Sequence, residues 1–62
     1  MKKETYEVRR VGGFTMAVGL TWAQAKETAQ AIADLFDGGQ GYIYNEQTGK
    51  LEAIYHTTRR EG

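Results

Sequence analysis

The chain has 62 residues, with eight acidic side chains, eight basic side chains, one histidine and no cysteine. The missing cysteines exclude disulfides, thiolate metal ligands and cysteine nucleophiles, and the single His56 cannot build a zinc site from imidazoles. A chain this short buries only about 60% of its unfolded surface, so we expect marginal stability unless self-association enlarges the core.

No proline or repeat divides the sequence, and two glycine clusters, at residues 12–13 and 38–41, separate three blocks. This pattern indicates one small domain over residues 1–62. The longest apolar stretch, residues 14–20, is too short to span a bilayer. No apolar export signal follows the basic start, so we expect a cytoplasmic protein without a membrane segment.

The charges are unevenly placed although their sum is zero. The middle of the chain is acidic and its two ends are basic, which matters for binding only if the ends meet in the fold. The basic residues of the two ends are Lys2, Lys3, Arg9, Arg10, Arg59 and Arg60.

The first block, residues 5–20, alternates apolar and polar residues and predicts a β-hairpin. A two-residue turn at residues 12–13 would mix apolar and charged side chains on one face. A three-residue loop at residues 11–13, with Gly13 in the left-handed conformation, keeps one face apolar. This loop predicts that Arg10 pairs with Phe14, Val8 with Met16, and Tyr6 with Val18.

The second block predicts an amphipathic helix of about 16 residues, long enough to cross a strand. Thr21 can cap it, Gln24 can complete a capping box, and Gly38 is placed to end it. The predicted inward stripe is Trp22, Ala25, Ala29, Ile32, Ala33 and Phe36, and the outward side chains are Lys26, Glu27, Gln30, Asp34 and Asp37.

The third block, residues 41–58, predicts a second hairpin whose loop pairs Asn45 with Lys50. This register makes neighbours of Tyr44 and Leu51, and of Tyr42 and Ala53. One face then carries Tyr42, Tyr44, Leu51, Ala53 and Tyr55, and the other carries Ile43, Glu52, Ile54, His56 and Thr58.

The element order is therefore ββαββ, an α+β fold with one helix on a four-stranded sheet. The helix returns the chain so that the second hairpin can lie beside the first strand. This gives the strand order 2-1-3-4, in which all neighbours are antiparallel. The second strand then forms an edge with little charge to discourage pairing with another chain.

Few residues suggest catalysis or a cofactor. His56 is the one side chain suited to titrate near neutral pH, but no serine is present and no triad can be assembled. Asp34 and Asp37 share a helical face that is more simply solvated surface than a cation site. We therefore expect no enzyme activity, no metal and no cofactor.

The tyrosines support two interpretations. Open sheets stack nucleic-acid bases on aromatic side chains, with arginines holding the phosphates. However, the predicted tyrosine face also carries the apolar strand residues, and a core beneath the helix accounts for both. The residues of the nucleic-acid alternative are Arg9, Arg10, Arg59, Arg60, Tyr42 and Tyr44.

The function favoured by the sequence is a small homodimeric module that binds a protein partner. A small core, an uncharged second strand and a thin apolar strip on the opposite sheet face all favour self-association. Sheet-on-sheet packing is the alternative to edge pairing. The predicted dimer edge consists of Phe14, Met16, Val18 and Leu20, and the strip of Val11, Ala17, Ile43 and Ile54.

Overall fold

The computed structural model describes residues 3–36 and 38–58. Strands β1 (Tyr6–Arg10) and β2 (Phe14–Leu20) precede helix α1 (Trp22–Leu35), and strands β3 (Gln40–Asn45) and β4 (Leu51–His56) follow it. The strands form one antiparallel sheet in the order β2-β1-β3-β4. The predicted α+β class, element order and strand order are therefore confirmed.

The loop of the first hairpin has the predicted length. Arg10 pairs with Phe14, and the Gly13 amide donates to the Arg10 carbonyl at 3.0 Å. Gly13 has a φ of +83°, a conformation that glycine adopts without steric cost. The loop at residues 11–13 and the left-handed position of Gly13 are thus confirmed.

Beyond that loop, β2 departs from the predicted register at two bulges. Each bulge adds a residue to β2 that has no partner on β1, and the side chains that follow turn to the other face. The predicted pairs of Val8 with Met16 and of Tyr6 with Val18 are therefore wrong. The observed pairs are Arg9 with Thr15, Val8 with Ala17, and Tyr6 with Leu20.

The helix begins as predicted and ends earlier. The Thr21 hydroxyl accepts from the Gln24 amide at 3.2 Å, and the Gln24 side chain accepts from the Thr21 amide at 3.0 Å. This reciprocal capping box is confirmed. Phe36 turns to extended backbone at the C-cap, so the helix stops before Gly38. Asp37 lies outside the described residues.

The second hairpin also begins in the predicted register. The Asn45 amide donates to the Lys50 carbonyl at 2.9 Å, and Tyr44 pairs with Leu51. Glu52 is then an extra residue on β4, which shifts every later pair by one, so the predicted pair of Tyr42 with Ala53 is wrong. The later pairs are Ile43 with Ala53, Tyr42 with Ile54, Gly41 with Tyr55, and Gln40 with His56.

This shift reverses the predicted faces of β3. Ile43 is fully buried opposite Val8, so it faces the helix, although it was predicted on the other face. Tyr42 pairs with Arg9 and Tyr44 with Glu7, on the face without a helix. The prediction that Tyr42, Tyr44 and Leu51 lie beneath the helix is therefore wrong, whereas the predicted helix side of Ala53 and Tyr55 is confirmed, since both pack against the core.

The core between helix and sheet is thin. Its only large side chains that are completely buried, among the described residues, are Val8 and Ile43. A core this small supplies little apolar stabilisation, as expected for the length of the chain. The other buried apolar residues are Ala25, Ala29, Ile32 and Ala33, and the core is flanked by Tyr6, Leu20, Phe36, Ala53 and Tyr55.

Helix and sheet meet most closely at Gly41. A Cβ built on Gly41 would lie 2.2 Å from the Ala29 carbonyl oxygen, which is far inside van der Waals contact. The alanines of the helix and this glycine therefore let two backbones touch directly. This contact fixes the height of α1 above β3.

Candidate interaction surfaces

The edge strand β2 is apolar and largely uncovered. None of its seven residues is charged. Phe14 and Val18 are 58% and 60% exposed, and Met16 is 36% exposed. The helix packs mainly over β1, β3 and β4 and least over β2. Three residues of the predicted dimer edge are thus accessible, whereas Leu20 packs against the core.

Hydrogen bonds hold the bulged end of β2 to the loop that follows β3. The Gly19 amide donates to both carboxylate oxygens of Glu46, at 3.3 Å each. The Glu46 amide in turn donates to the Thr5 carbonyl at 3.0 Å. These bonds anchor β2 to the start of β1 and the end of β3, and the outer side of β2 has no neighbouring strand within the described part of the chain.

The sheet face opposite the helix, called here the open face, carries exposed apolar residues at its β3 and β4 side. Leu51 and Ile54 are each 44% exposed, and they pair with the half-buried Tyr44 and Tyr42. The Tyr42 hydroxyl donates to the side chain of Gln40. Adjacent large apolar side chains on a solvated sheet indicate a surface that can bind another macromolecule.

Arg9 lies on the open face but is paired. Its Nε donates to Glu7 Oε2 at 2.9 Å, and its terminal nitrogen donates to Glu7 Oε1 at 3.2 Å. Its guanidinium carbon lies 4.2 Å from the centre of the Tyr44 ring. Hydrogen bonds from Arg9, and then from the Thr15 hydroxyl, lower the pKa of Glu7, and Glu7 raises the pKa of Arg9. The positive charge beside Tyr44 is therefore largely neutralised.

Arg10 lies on the helix side of the sheet. Its guanidinium carbon is 4.5 Å from the centre of the Phe14 ring and 5.5 Å from that of Phe36. The structure thus separates Arg9 and Arg10, which the nucleic-acid alternative grouped with Tyr42 and Tyr44. The other two members of that group, Arg59 and Arg60, lie outside the described residues.

A shallow cavity of about 660 Å³ opens beside the start of the helix. Tyr6 and Trp22 form its aromatic wall, with ring centres 5.0 Å apart in an edge-to-face arrangement. The Tyr6 hydroxyl donates to Glu4 at 3.0 Å. Desolvation, and then this bond, raise the pKa of Tyr6.

Trp22 was predicted to cover the core, and 39% of it stays exposed. Sequence reasoning did not identify this cavity, whose rim also includes Lys3, Thr21 and Gln47.

His56, the one histidine of the chain, lies at the end of β4 and pairs with Gln40. His56 Nδ1 lies 3.4 Å from Gln40 Nε2, and the His56 carbonyl accepts from Gln30 at 2.9 Å. Residues 3–36 and 38–58 contain no group of three or more acidic or histidine side chains placed to hold a metal ion.

Lys3 and Thr58, the first and last described residues, lie near opposite ends of the helix. Lys3 lines the cavity at the start of the helix. Thr58 binds Asp34 in the last turn of the helix, and Thr57 donates its amide to the Gly39 carbonyl at 2.9 Å. Arg10 lies at this second end of the sheet, across β3 from Tyr55.

No protein-family model, characterised protein or solved structure matches this chain. Among the described residues, no helix has the length and apolar character needed to cross a membrane.

Proposed function

We propose that this chain is a non-catalytic interaction module that acts as a homodimer and recognises a protein partner in the cytoplasm. The observation that carries the proposal is the edge of β2, where seven uncharged residues expose Phe14 and Val18. Natural proteins usually protect such edges with charge or cover. A second copy would cover this edge and add apolar contacts to a core with few large side chains.

Sedimentation equilibrium tests the dimer. We expect the wild-type chain to dimerise with a Kd of roughly micromolar order, because one strand pairing forms a small interface. Val18→Lys should shift the protein to monomer, because it places a charge in the buried interface. The matched control Ile54→Lys, at a comparably exposed apolar site on the open face, should stay dimeric. A wild-type monomer at high micromolar concentration contradicts the dimer, and dissociation by Ile54→Lys alone indicates sheet-on-sheet packing instead.

The open face supports the second part of the proposal, recognition of a protein partner. On this face Tyr42 pairs with Ile54, and Tyr44 pairs with Leu51. These pairs combine apolar area with hydroxyl groups, which is typical of protein interfaces. A photo-crosslinking amino acid at position 54 should capture a discrete protein in cells. The same group at Lys26, exposed on the helix, should not. Equal labelling from both positions would remove the open face as the recognition surface.

A second candidate function is nucleic-acid binding through the same face. The observation that favours it is the position of Tyr42 and Tyr44 on the open face with the Arg9 guanidinium over Tyr44. The bidentate pairing of Arg9 with Glu7 weakens it, since phosphate contacts require available cations. Fluorescence anisotropy with single- and double-stranded DNA and RNA tests it. Binding should weaken steeply with salt, and no binding at low salt rejects this candidate.

A further inference from the structure

We infer that two copies pair their β2 strands in antiparallel orientation about a two-fold axis at Ala17. This pairing rests on the proposed homodimer and specifies which residues of the two β2 strands lie opposite each other. The resulting sheet has eight strands, with both helices on the same face. Phe14 of each copy then lies opposite Leu20 of the partner subunit, and Met16 opposite Val18 of the partner subunit.

The helix-side residues of β2 select this register. Phe14, Ala17 and Leu20 pair with residues of β1 that face the helix, and paired residues point to the same side of a sheet. These three positions are evenly spaced about Ala17. A two-fold axis at Ala17 therefore matches helix-side residues with helix-side residues, whereas a shift by one residue would mismatch them.

The bulges of β2 have the same symmetry. One bulge leaves Met16 without a partner on β1, and the other lies between Ala17 and Leu20. A rotation about Ala17 brings the first bulge of one copy beside the second bulge of the other. Both edges then bend at matching places, so the bulges that usually protect an edge do not prevent this pairing.

The chemistry of the two sheet edges also favours β2. Pairing of β2 with itself brings no charged side chains together. Pairing of the other edge, β4, would bury the extra residue Glu52 beside a second copy. The β2 contact would also cover the exposed Phe14. It would place Phe14 next to Leu20 of the partner subunit, close to the start of the partner's helix and its aromatic cavity.

The register can be tested with single cysteines because the natural chain has none. Directly opposite Cα atoms in antiparallel strands are about 4.5–5.5 Å apart, within the range of about 4.4–6.8 Å that a disulfide spans. We therefore expect Ala17→Cys to form a disulfide-linked dimer in an oxidising glutathione buffer. Two Val18→Cys copies are offset by two residues, about 7 Å along the strand, and should not cross-link.

A mixture of Met16→Cys and Val18→Cys proteins gives an independent measurement at two exposed positions. The mixture should form the mixed disulfide, and neither protein should cross-link alone. Efficient linkage of Val18→Cys or Met16→Cys to itself would overturn the Ala17 register.

Sedimentation of the same proteins under reducing conditions separates the two proposals. A dimer that gives neither the Ala17→Cys disulfide nor the mixed disulfide overturns the β2 pairing but leaves the homodimer standing. A monomer overturns both.

Discussion

The Asp34 carboxylate accepts a hydrogen bond from the Thr58 backbone amide at 2.8 Å, which joins the last turn of α1 to the segment after β4. The hydroxyls of Thr57 and Thr58 donate to the same Asp34 oxygen, at 3.0 and 3.2 Å. The negative charge of Asp34 is unfavourable at the C-terminal end of a helix. These donors provide the compensation, and they show that Asp34 is not simply solvated.

We expect Asp34→Asn to reduce the pH dependence of stability. The Thr58 amide bond, and then the threonine hydroxyls, lower the pKa of Asp34 in the folded state. The stabilisation is therefore present above the ordinary carboxyl pKa, about 3.9, and is lost as the pH falls through the lower folded pKa. Urea unfolding from neutral to strongly acidic pH should show a gap between wild type and Asp34→Asn that closes in acid.

The control for this prediction is Glu27→Gln, which removes a carboxylate without described hydrogen bonds from an exposed position of the same helix. The stability of Glu27→Gln gives the baseline with which the gap of Asp34→Asn is compared at each pH. A gap between wild type and Asp34→Asn that persists unchanged in acid would contradict an electrostatic role for Asp34.

Gly41→Ala should destabilise the fold by about 3 kcal/mol, the upper part of the range for overpacked sites. The added methyl group would overlap the Ala29 carbonyl, and backbone cannot move aside as a flexible side chain can. Urea unfolding monitored by circular dichroism measures the loss. A change below about 0.5 kcal/mol, the range of ordinary surface substitutions, would mean that the helix does not lie this close to β3.

Thr21→Ala should lower the free energy of unfolding by about 1 kcal/mol, the usual cost of losing an N-cap. The substitution removes the acceptor for the Gln24 amide and half of the capping box. Thr21→Ser keeps the hydroxyl and should retain most of the stability. Equal losses in the two variants would assign the effect to the methyl group instead of the cap.

Glu7→Gln should increase any affinity for nucleic acid. The change removes the carboxylate that pairs with Arg9 and leaves a guanidinium beside Tyr44 on the open face. One added phosphate contact should steepen the slope of log affinity against log salt by about one. Anisotropy titrations at several salt concentrations measure this slope, with Glu27→Gln as a control of equal charge. Identical slopes in the two variants would show that Arg9 does not contact phosphate.

Short-range chemistry made much of the fold predictable from the sequence. The capping box needs only Thr21 and Gln24, and the first loop needs a glycine at position 13. The face of Tyr42, Tyr44 and Leu51 was not predictable, because the extra residue Glu52 puts them on the side opposite to Ala53 and Tyr55, and its side chain gives no sign of a bulge. In β2 a sign exists, since an isolated glycine such as Gly19 within a strand pattern indicates a bulge.

The candidate surfaces were predictable to different degrees. The position of β2 at the edge and its lack of charge were predictable from the sequence. The exposure of Phe14 and Val18 was not, because the apolar residues of this strand were expected to lie beneath the helix. The ion pair of Arg9 with Glu7 could also be predicted from the sequence, because residues two apart in a strand share a face. The aromatic open face was not predictable, because it follows from the bulge in β4. The Asp34 contacts were not predictable either, because they depend on residues distant in sequence.

The backbone contact between Ala29 and Gly41 has a consequence for how this molecule can transmit a signal. Sliding or rolling of a helix requires side chains that can repack into a second arrangement. Here a carbonyl group rests directly against a strand, so no intermediate layer can rearrange. Binding to the open face of the sheet should therefore leave the position of the helix unchanged, and binding to the helix should leave the sheet unchanged.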